Sequence, residues 1–255
     1  MAKEFIGELE LNRIYQRDCI EGMRMLPDKS VDLIITSPPY NIGKSYETKS
    51  PIEDYIEWSV DYLKEIYRIL KPCGNFMLQI GQYVDSNTNN IPLTYLLFNS
   101  LMEIGFKIRQ EIIWYFRGGM PARKKLTGQN EKIMWLYKGD DLPFFDLDAI
   151  RVKEWQAFDK RNNPNGKNPT DVWEFNRVAG NSREKTSHPC QFPSVMIERI
   201  IKGWSTGDSI VFDPFIGSGT TAVAAVRTGR KFIGFEREQE YVEIANKRLD
   251  KEMEA

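Results

Sequence analysis

Two short stretches of this 255-residue chain combine residue types with a specific chemistry, and each follows an apolar, β-branched run. The first is Thr36-Ser37-Pro38-Pro39-Tyr40-Asn41, directly after VDLII. Consecutive prolines restrict the backbone and remove N–H donors, so the neighbouring carbonyls are fixed and free to accept hydrogen bonds. The Ser37 hydroxyl and the Pro38 carbonyl are then suited to accept from an NH2 group. An exocyclic amine on a nucleobase is a poor nucleophile because its lone pair is delocalised into the ring. Acceptors that hold the NH2 let the nitrogen rehybridise as it attacks. Tyr40 adds a ring on which an extruded base can stack, since a base inside a duplex cannot reach such a pocket.

The second stretch is SIVFDPFIGSGTT, Ser209 to Thr221: an apolar strand ending in Asp213, a glycine turn, then the helical run TAVAAVRTG. Gly217 and Gly219 permit tight turning and close backbone approach, and free N–H groups at the helix start can receive a carboxylate or another anion. A further strand, KFIGFE, ends at Glu236, 19 residues beyond Gly217, the spacing at which an acid accepts from ribose hydroxyls. Together these features suggest an adenosine-bearing ligand. The turn lacks the third glycine of G-x-G-x-x-G, so a structural turn before a helix stays open as the alternative, as a proline-stiffened loop does for the first stretch.

The elements that must position these stretches are legible as apolar runs. RIYQRD, VDLIITS, GNFMLQIG, EIIWYF, EKIMWLYKG, SIVFDPF and KFIGFE read as buried strands. Between them lie amphipathic stretches: IEDYIEWSVDYLKEIYRIL, closed by Lys71-Pro72 and Gly74, then SVMIERIIKGW and TTAVAAVRTG. The alternation implies an α/β fold with a mainly parallel sheet, helices on both faces, and ligands at the carboxyl ends of strands near a topological switch point. From about Gly118 to Arg183 periodic runs are few apart from Ile133 to Tyr137, and the stretch reads as an insertion.

Composition narrows the function classes. With 41% hydrophobic and 28% charged residues the chain is not disordered, and its length fits one main core. The net charge of −1 leaves any polyanion to be met by a local basic surface. Residues 107–185 supply one, with 16 basic against 11 acidic residues, while the remainder is net −6. Cys19, Cys73 and Cys190 lie far apart without a C-x-x-C pair, and His188 is the sole histidine, which argues against a metal site or a disulfide framework. The start has no apolar h-region and no run approaches a membrane span, so a cytoplasmic protein with no membrane contact is expected.

The pair TSPPYN and DPFIGSGTT, in that order, resembles the permuted beta group of S-adenosylmethionine-dependent DNA amino-methyltransferases. The intervening PTDVWEFNRVAGNSREKTSHPCQFPSVMIERII is similar to the family's segment ahead of the cofactor loop, where an HPxxFP element borders the methionine part of the cofactor. The likeness covers most of the chain. It implies a doubly wound, seven-stranded Rossmann-like sheet, with the methyltransferase core over 1–117 and 184–255 and a target-recognition insertion over 118–183. It implies Asp213, Phe215, Gly217, Ser218, Gly219 and Thr220 at the cofactor loop, and Glu236 on the ribose. Ser187, His188 and Phe192 fall near the methionine end, and Asp18 near the adenine, where a helix cap is the alternative. Ser37, Pro38, Pro39 and Tyr40 are implied as catalytic. Arg117, Arg123, Lys124, Lys125, Arg151, Lys153, Lys160, Arg161 and Lys167 are expected to meet phosphates and base edges of double-stranded DNA.

The family divides between the N4 amine of cytosine and the N6 amine of adenine. Serine at the first motif position, as at Ser37, is commoner in the cytosine enzymes, and HPCQFP leans the same way, so N4 methylation of cytosine is expected, with N6 of adenine as the alternative. Carbon-5 methylation would need a thiolate in a Pro-Cys pair, and Pro189-Cys190 precedes FPSVMIERII rather than ending a strand. Protein-glutamine methyltransferases have the opposite motif order and an asparagine where Ser37 stands. A catalytically idle binding subunit would have no need of both motifs intact. The expected chemistry is direct transfer, without a metal or a covalent enzyme intermediate. A cognate restriction endonuclease is expected, if present, as a separate chain, and homodimers are common in the resembling family.

Overall fold

The computed structural model describes residues 3–44, 47–85, 89–118, 122–153, 164–180 and 182–254. In chain order its elements are β1 (Phe5–Ile6), β2 (Leu9–Glu10), β3 (Arg13–Gln16), α1 (Cys19–Arg24), β4 (Val31–Thr36), α2 (Ile52–Ile69), β5 (Leu70–Ile80), β6 (Gln82–Val84) and β7 (Asn90–Pro92). There follow α3 (Leu93–Ile104), β8 (Lys107–Tyr115), β9 (Asn130–Tyr137), β10 (Val172–Glu174), α4 (Ser194–Trp204), β11 (Ile210–Asp213), α5 (Thr220–Arg227), β12 (Lys231–Glu236) and α6 (Gln239–Met253). Two small hairpins, β1–β2 and β6–β7, stand beside one eight-stranded sheet of order β10-β8-β9-β5-β4-β11-β12-β3. Its pairings are parallel except those of β9, which runs antiparallel to both β5 and β8.

Strand alternation builds two cores, one on each face. Ile34, Phe76, Leu78, Phe212 and Phe235 point to the side covered by α1, α2 and α3. Leu33, Ile35, Met77, Val211 and Phe232 point to the side covered by α4, α5 and α6. Helix α2 shows why a sequence stripe becomes a packed face: Tyr55, Ser59, Tyr62, Leu63, Ile66 and Ile69 recur at helical spacing and are all buried. Among the described residues no helix is long and apolar enough to cross a membrane.

The fold departs from expectation in two places. The sheet has eight strands rather than seven, because β10 pairs with β8 through Val172–Ile113, Trp173–Trp114 and Glu174–Tyr115. A three-residue run shows no period by itself; its anchor is the buried Trp173, whose indole donates to the Thr170 carbonyl at 2.9 Å. Both β9 and β10 come from 118–183, so that stretch contributes two strands to the sheet. Secondly, β5 begins at Leu70, ahead of the run GNFMLQIG read as its strand, while α2 ends at Ile69, within one residue of the end of the amphipathic stretch. Leu70 turns to extended backbone and β5 begins at once, with Pro72 lying where the β4 register shifts between Val31 and Leu33 and a ladder donor is not needed.

The site depends on where β4 and β11 meet. They are parallel neighbours, yet the chain leaves β4 for β5 on one side and leaves β11 for β12 on the other. That reversal opens a crevice at their carboxyl ends. At the opposite end Asn75, 1% exposed, ties the layers together: its amide donates to the Phe144 and Trp204 carbonyls, and its oxygen accepts from the Trp135 indole at 2.7 Å. Asn75→Leu takes this partner from the buried Trp204 carbonyl and Trp135 indole and from the half-buried Phe144 carbonyl, and should destabilise the fold by about 3 kcal/mol, read as a lowered urea midpoint at unchanged slope.

Candidate active site

The two motif loops are joined by one buried carboxylate. Asp213, 2% exposed at the end of β11, accepts from Thr36 Oγ1 at 2.7 Å, from Thr221 Oγ1 at 2.6 Å and from the Phe215 N–H at 3.1 Å. Burial pushes its carboxyl up to about 6 despite those donors. Thr36 immediately precedes Ser37, and Thr221 lies on the first turn of α5. Asp213 therefore holds one loop against the other.

On the β11 side the chain turns through Gly217 and Gly219, both at positive φ. A Cβ at Gly217 would sit 2.9 Å from His188 Nε2, and one at Gly219 would sit 2.8 Å from the Ala245 Cβ on α6. The glycines thus let His188 and α6 approach the loop backbone. Glu236 accepts from the Gly217 N–H at 3.0 Å and the Glu238 N–H at 2.8 Å, one through each oxygen. The Arg237 N–H also bonds this carboxylate, which keeps remaining acceptor capacity for a ligand hydroxyl. Phe215 packs edge-on against Trp58 and Tyr62. His188 stacks edge-on against Tyr241, its Nδ1 accepts from the Cys190 N–H at 3.3 Å, and burial pushes its imidazole down to about 4, so it is neutral at pH 7. Asp18 takes the helix-cap geometry, its Oδ1 accepting from the Ile20 and Glu21 N–H groups at the start of α1, and it also lines the cavity.

On the β4 side the stiff loop is held from several directions. The Tyr55 hydroxyl donates to the Pro39 carbonyl at 2.8 Å, while Glu47 accepts from the N–H groups of Asn41, Ile42 and Lys44. Ser37 Oγ lies 2.8 Å from the Tyr40 hydroxyl, which donates to Gln79 Oε1 at 2.7 Å and lies 3.4 Å from Glu131 Oε2. Gln79 Nε2 donates to the same Glu131 oxygen. A Cβ at Gly81 would come within 2.6 Å of the Tyr40 ring, so that ring rests against the end of β5. Tyr40 is an internal strut as well as a cavity wall.

Both halves open into one cavity of about 740 Å3, within the range that ligand sites occupy. Its walls include Ser37, Pro38, Pro39, Tyr40, Asp18, His188, Phe192, Asp213, Phe215, Gly217, Ser218, Thr220 and Glu236. Two expected residues fall outside the lining. Ser187 is exposed and faces Glu240, and Gly219 serves the contact with α6. The motifs give no hint of Arg248, which reaches from α6 to donate to the Ser218 carbonyl at 2.6 Å and to the Ser218 and Thr220 hydroxyls at 3.1 Å. Nor do they mark Gln79, Glu131, Trp114 and Arg177, which line the Ser37 end.

The basic residues separate. Arg123, Lys124 and Lys125 lie in the β8–β9 loop, which leaves the sheet at the cavity end beside Glu131, and all three are exposed. Arg117 pairs with Glu174 at 2.6 Å, and Lys125 donates to Asn90. Arg151 does not join them: it is tied to Asp148 and to the Gly166 carbonyl, next to Ile150, which packs on Gly203 in the last turn of α4. That turn lies where β11 begins, away from the cavity. Exposed Lys167 pairs by backbone with Val152, and Lys153 is exposed nearby. Lys160 and Arg161 lie outside the described residues.

A family model for N6/N4 methyltransferases, described as DNA methylase, matches residues 31–247. The type II methyltransferase M.BglII of Bacillus subtilis is 42% identical over 245 residues, spanning 92% of this chain and 68% of the relative. The DNA adenine methyltransferase YhdJ of Escherichia coli (strain K12) is 35% identical over 255 residues, spanning 94% and 83%. The PvuII DNA methyltransferase (cytosine-N4-specific) shares the fold at TM-score 0.77 and 22% identity, covering 94% of this chain and 89% of its own. The M1.HpyAVI–SAM complex superposes at TM-score 0.67 with 25% identity, covering 93% and 98%. With both motif loops on one crevice and a family match across most of the length, the chain belongs to the N6/N4 amino-methyltransferase family of DNA methylases.

Proposed function

We propose that this protein transfers a methyl group from S-adenosylmethionine to the N4 amine of cytosine in duplex DNA, on a base turned out of the helix. The observation that carries the reading is Ser37 Oγ, an acceptor on a proline-stiffened loop that opens into the same cavity as Glu236 and the Gly217 turn. The donor set suits the cofactor: Glu236 for ribose hydroxyls, Phe215 and Trp58 for an apolar ring, Asp18 and the neutral His188 around the rest. When bound, the cofactor supplies a sulfonium methyl, an intrinsically electrophilic carbon. Ser37 and the Pro38 carbonyl accept from the two amine hydrogens, which returns lone-pair density to nitrogen and aligns it for attack. The exposed Arg123, Lys124 and Lys125 hold phosphates at the cavity rim, and the remainder of 118–183 outside β9 and β10 serves target recognition.

N6 methylation of adenine is the second reading, favoured by the likeness to YhdJ, named a DNA adenine methyltransferase. Serine where the adenine enzymes more often have aspartate supports cytosine. Incubation with isotopically labelled S-adenosylmethionine and mixed-sequence duplex, followed by nucleoside digestion and mass spectrometry, distinguishes them. Label is expected in N4-methylcytosine; label in N6-methyladenine overturns the base assignment, and unlabelled DNA overturns the reading.

Ser37→Ala should slow transfer about a hundredfold while cofactor affinity changes less than about threefold. Equal losses in both would make Ser37 structural. Reversing the charge of Arg123, Lys124 and Lys125 together should weaken DNA binding and flatten its salt dependence by about three phosphate contacts. An unchanged slope would move the interface elsewhere.

A further inference from the structure

Ser37 Oγ carries one hydrogen and two lone pairs, and its use as an acceptor depends on where that hydrogen points. The Tyr40 hydroxyl also has a single hydrogen, and it donates to Gln79 Oε1 at 2.7 Å. Its oxygen is then the acceptor for Ser37, 2.8 Å away, so the serine hydrogen points inward and the lone pairs are left for the cavity. Glu131 Oε2, at 3.4 Å, is the more distant acceptor for the tyrosine hydrogen, so its direction is set chiefly by which end of the Gln79 side chain faces Tyr40. The amide would fit either way round if its other neighbour were indifferent.

That neighbour is Glu131, on the antiparallel strand β9, whose Oε2 accepts from Gln79 Nε2. A carboxylate only accepts, so it binds the NH2 end of the amide and rejects the carbonyl end. Resting on the reading that Ser37 accepts from the substrate amine, we infer that Glu131 is a positioning residue. It sets the direction of a hydrogen-bond chain, Ser37 to Tyr40 to Gln79 to Glu131, and thereby makes Ser37 an obligate acceptor for that amine. The carboxylate touches neither substrate nor cofactor in this role. It acts through the orientation of one amide; burial raises its carboxyl above the ordinary range, while Gln79, Arg177 and Tyr40 favour the charged form that accepts from that amide.

With Glu131→Gln, two amides face each other and Gln79 can present NH2 to Tyr40. The tyrosine hydrogen then turns to Ser37, and the serine hydrogen meets the amine, donor against donor. The expected result is a fall in kcat of about tenfold or more, with affinities for S-adenosylmethionine and duplex DNA within about threefold of wild type. The exchange Gln79→Glu with Glu131→Gln restores the direction, because the new acid accepts from both Tyr40 and the new amide, and kcat should recover to within about threefold of wild type. A purely structural Glu131 predicts no such rescue. Independently, Tyr40→Phe breaks the chain upstream, so adding Glu131→Gln to it should cost nothing further.

Transfer to an amine by the wild type is measured first in the labelled assay, and its absence overturns the functional reading and this inference together. An active wild type with an unimpaired Glu131→Gln overturns the inference alone. So does a folded exchange variant as slow as Glu131→Gln, or additive losses in the Tyr40→Phe background.

Discussion

A carboxylate sealed from water is costly unless donors surround it, and Asp213 is met by three. Each comes from a different requirement of the site. Thr36 is the last residue of β4 before the Ser37-Pro38-Pro39-Tyr40 loop, Phe215 belongs to the turn, and Thr221 to the first turn of α5. The acid thus converts the adjacency of two strand ends into a fixed separation between two loops. It lines the cavity, and its oxygens hold the turn that follows β11 in register with Ser37.

The turn from Gly217 to Thr220 is shaped from behind as much as from its own sequence. Gly219 gives α6 room to approach, and Arg248 on α6 uses that approach to clamp Ser218 and Thr220. Gly217 in turn gives His188 its place, and the imidazole stays neutral because burial, with Lys185 and Arg248 nearby, disfavours its charged form. Glycines therefore serve two neighbours here besides any ligand. The same logic explains Gly81, where the absence of a side chain accommodates the Tyr40 ring.

Charge is distributed by a different constraint. A near-neutral chain that meets a polyanion must concentrate its basic residues, and 107–185 does so. Only part of that excess lies at the cavity rim. Arg123, Lys124 and Lys125 follow the loop between β8 and β9, whereas Arg151 is bound to Asp148 at the far end of the sheet. Composition reports the excess of a segment, and the path of the chain decides which side of the molecule receives it.

The sequence by itself determined the seven strand runs, the helices that follow VDLIITS and DPFIGSG, and the two loops that meet at the cavity. These are set by periodicity and by proline and glycine within a few residues, interactions that a local reading contains. It also displayed the acid at Glu236, because a strand of fixed length returns it to the Gly217 turn. The tertiary structure decided the rest. Strand β10 is held by a single buried tryptophan and its register with β8, and β5 starts at Leu70, ahead of its apolar run, because it pairs there with Val31. Gln79 and Glu131 meet because β5 and β9 pair antiparallel, and Arg248 reaches Ser218 because α6 packs across α5. Such contacts depend on register and packing between segments far apart in the chain, and no local preference of either residue carries that information.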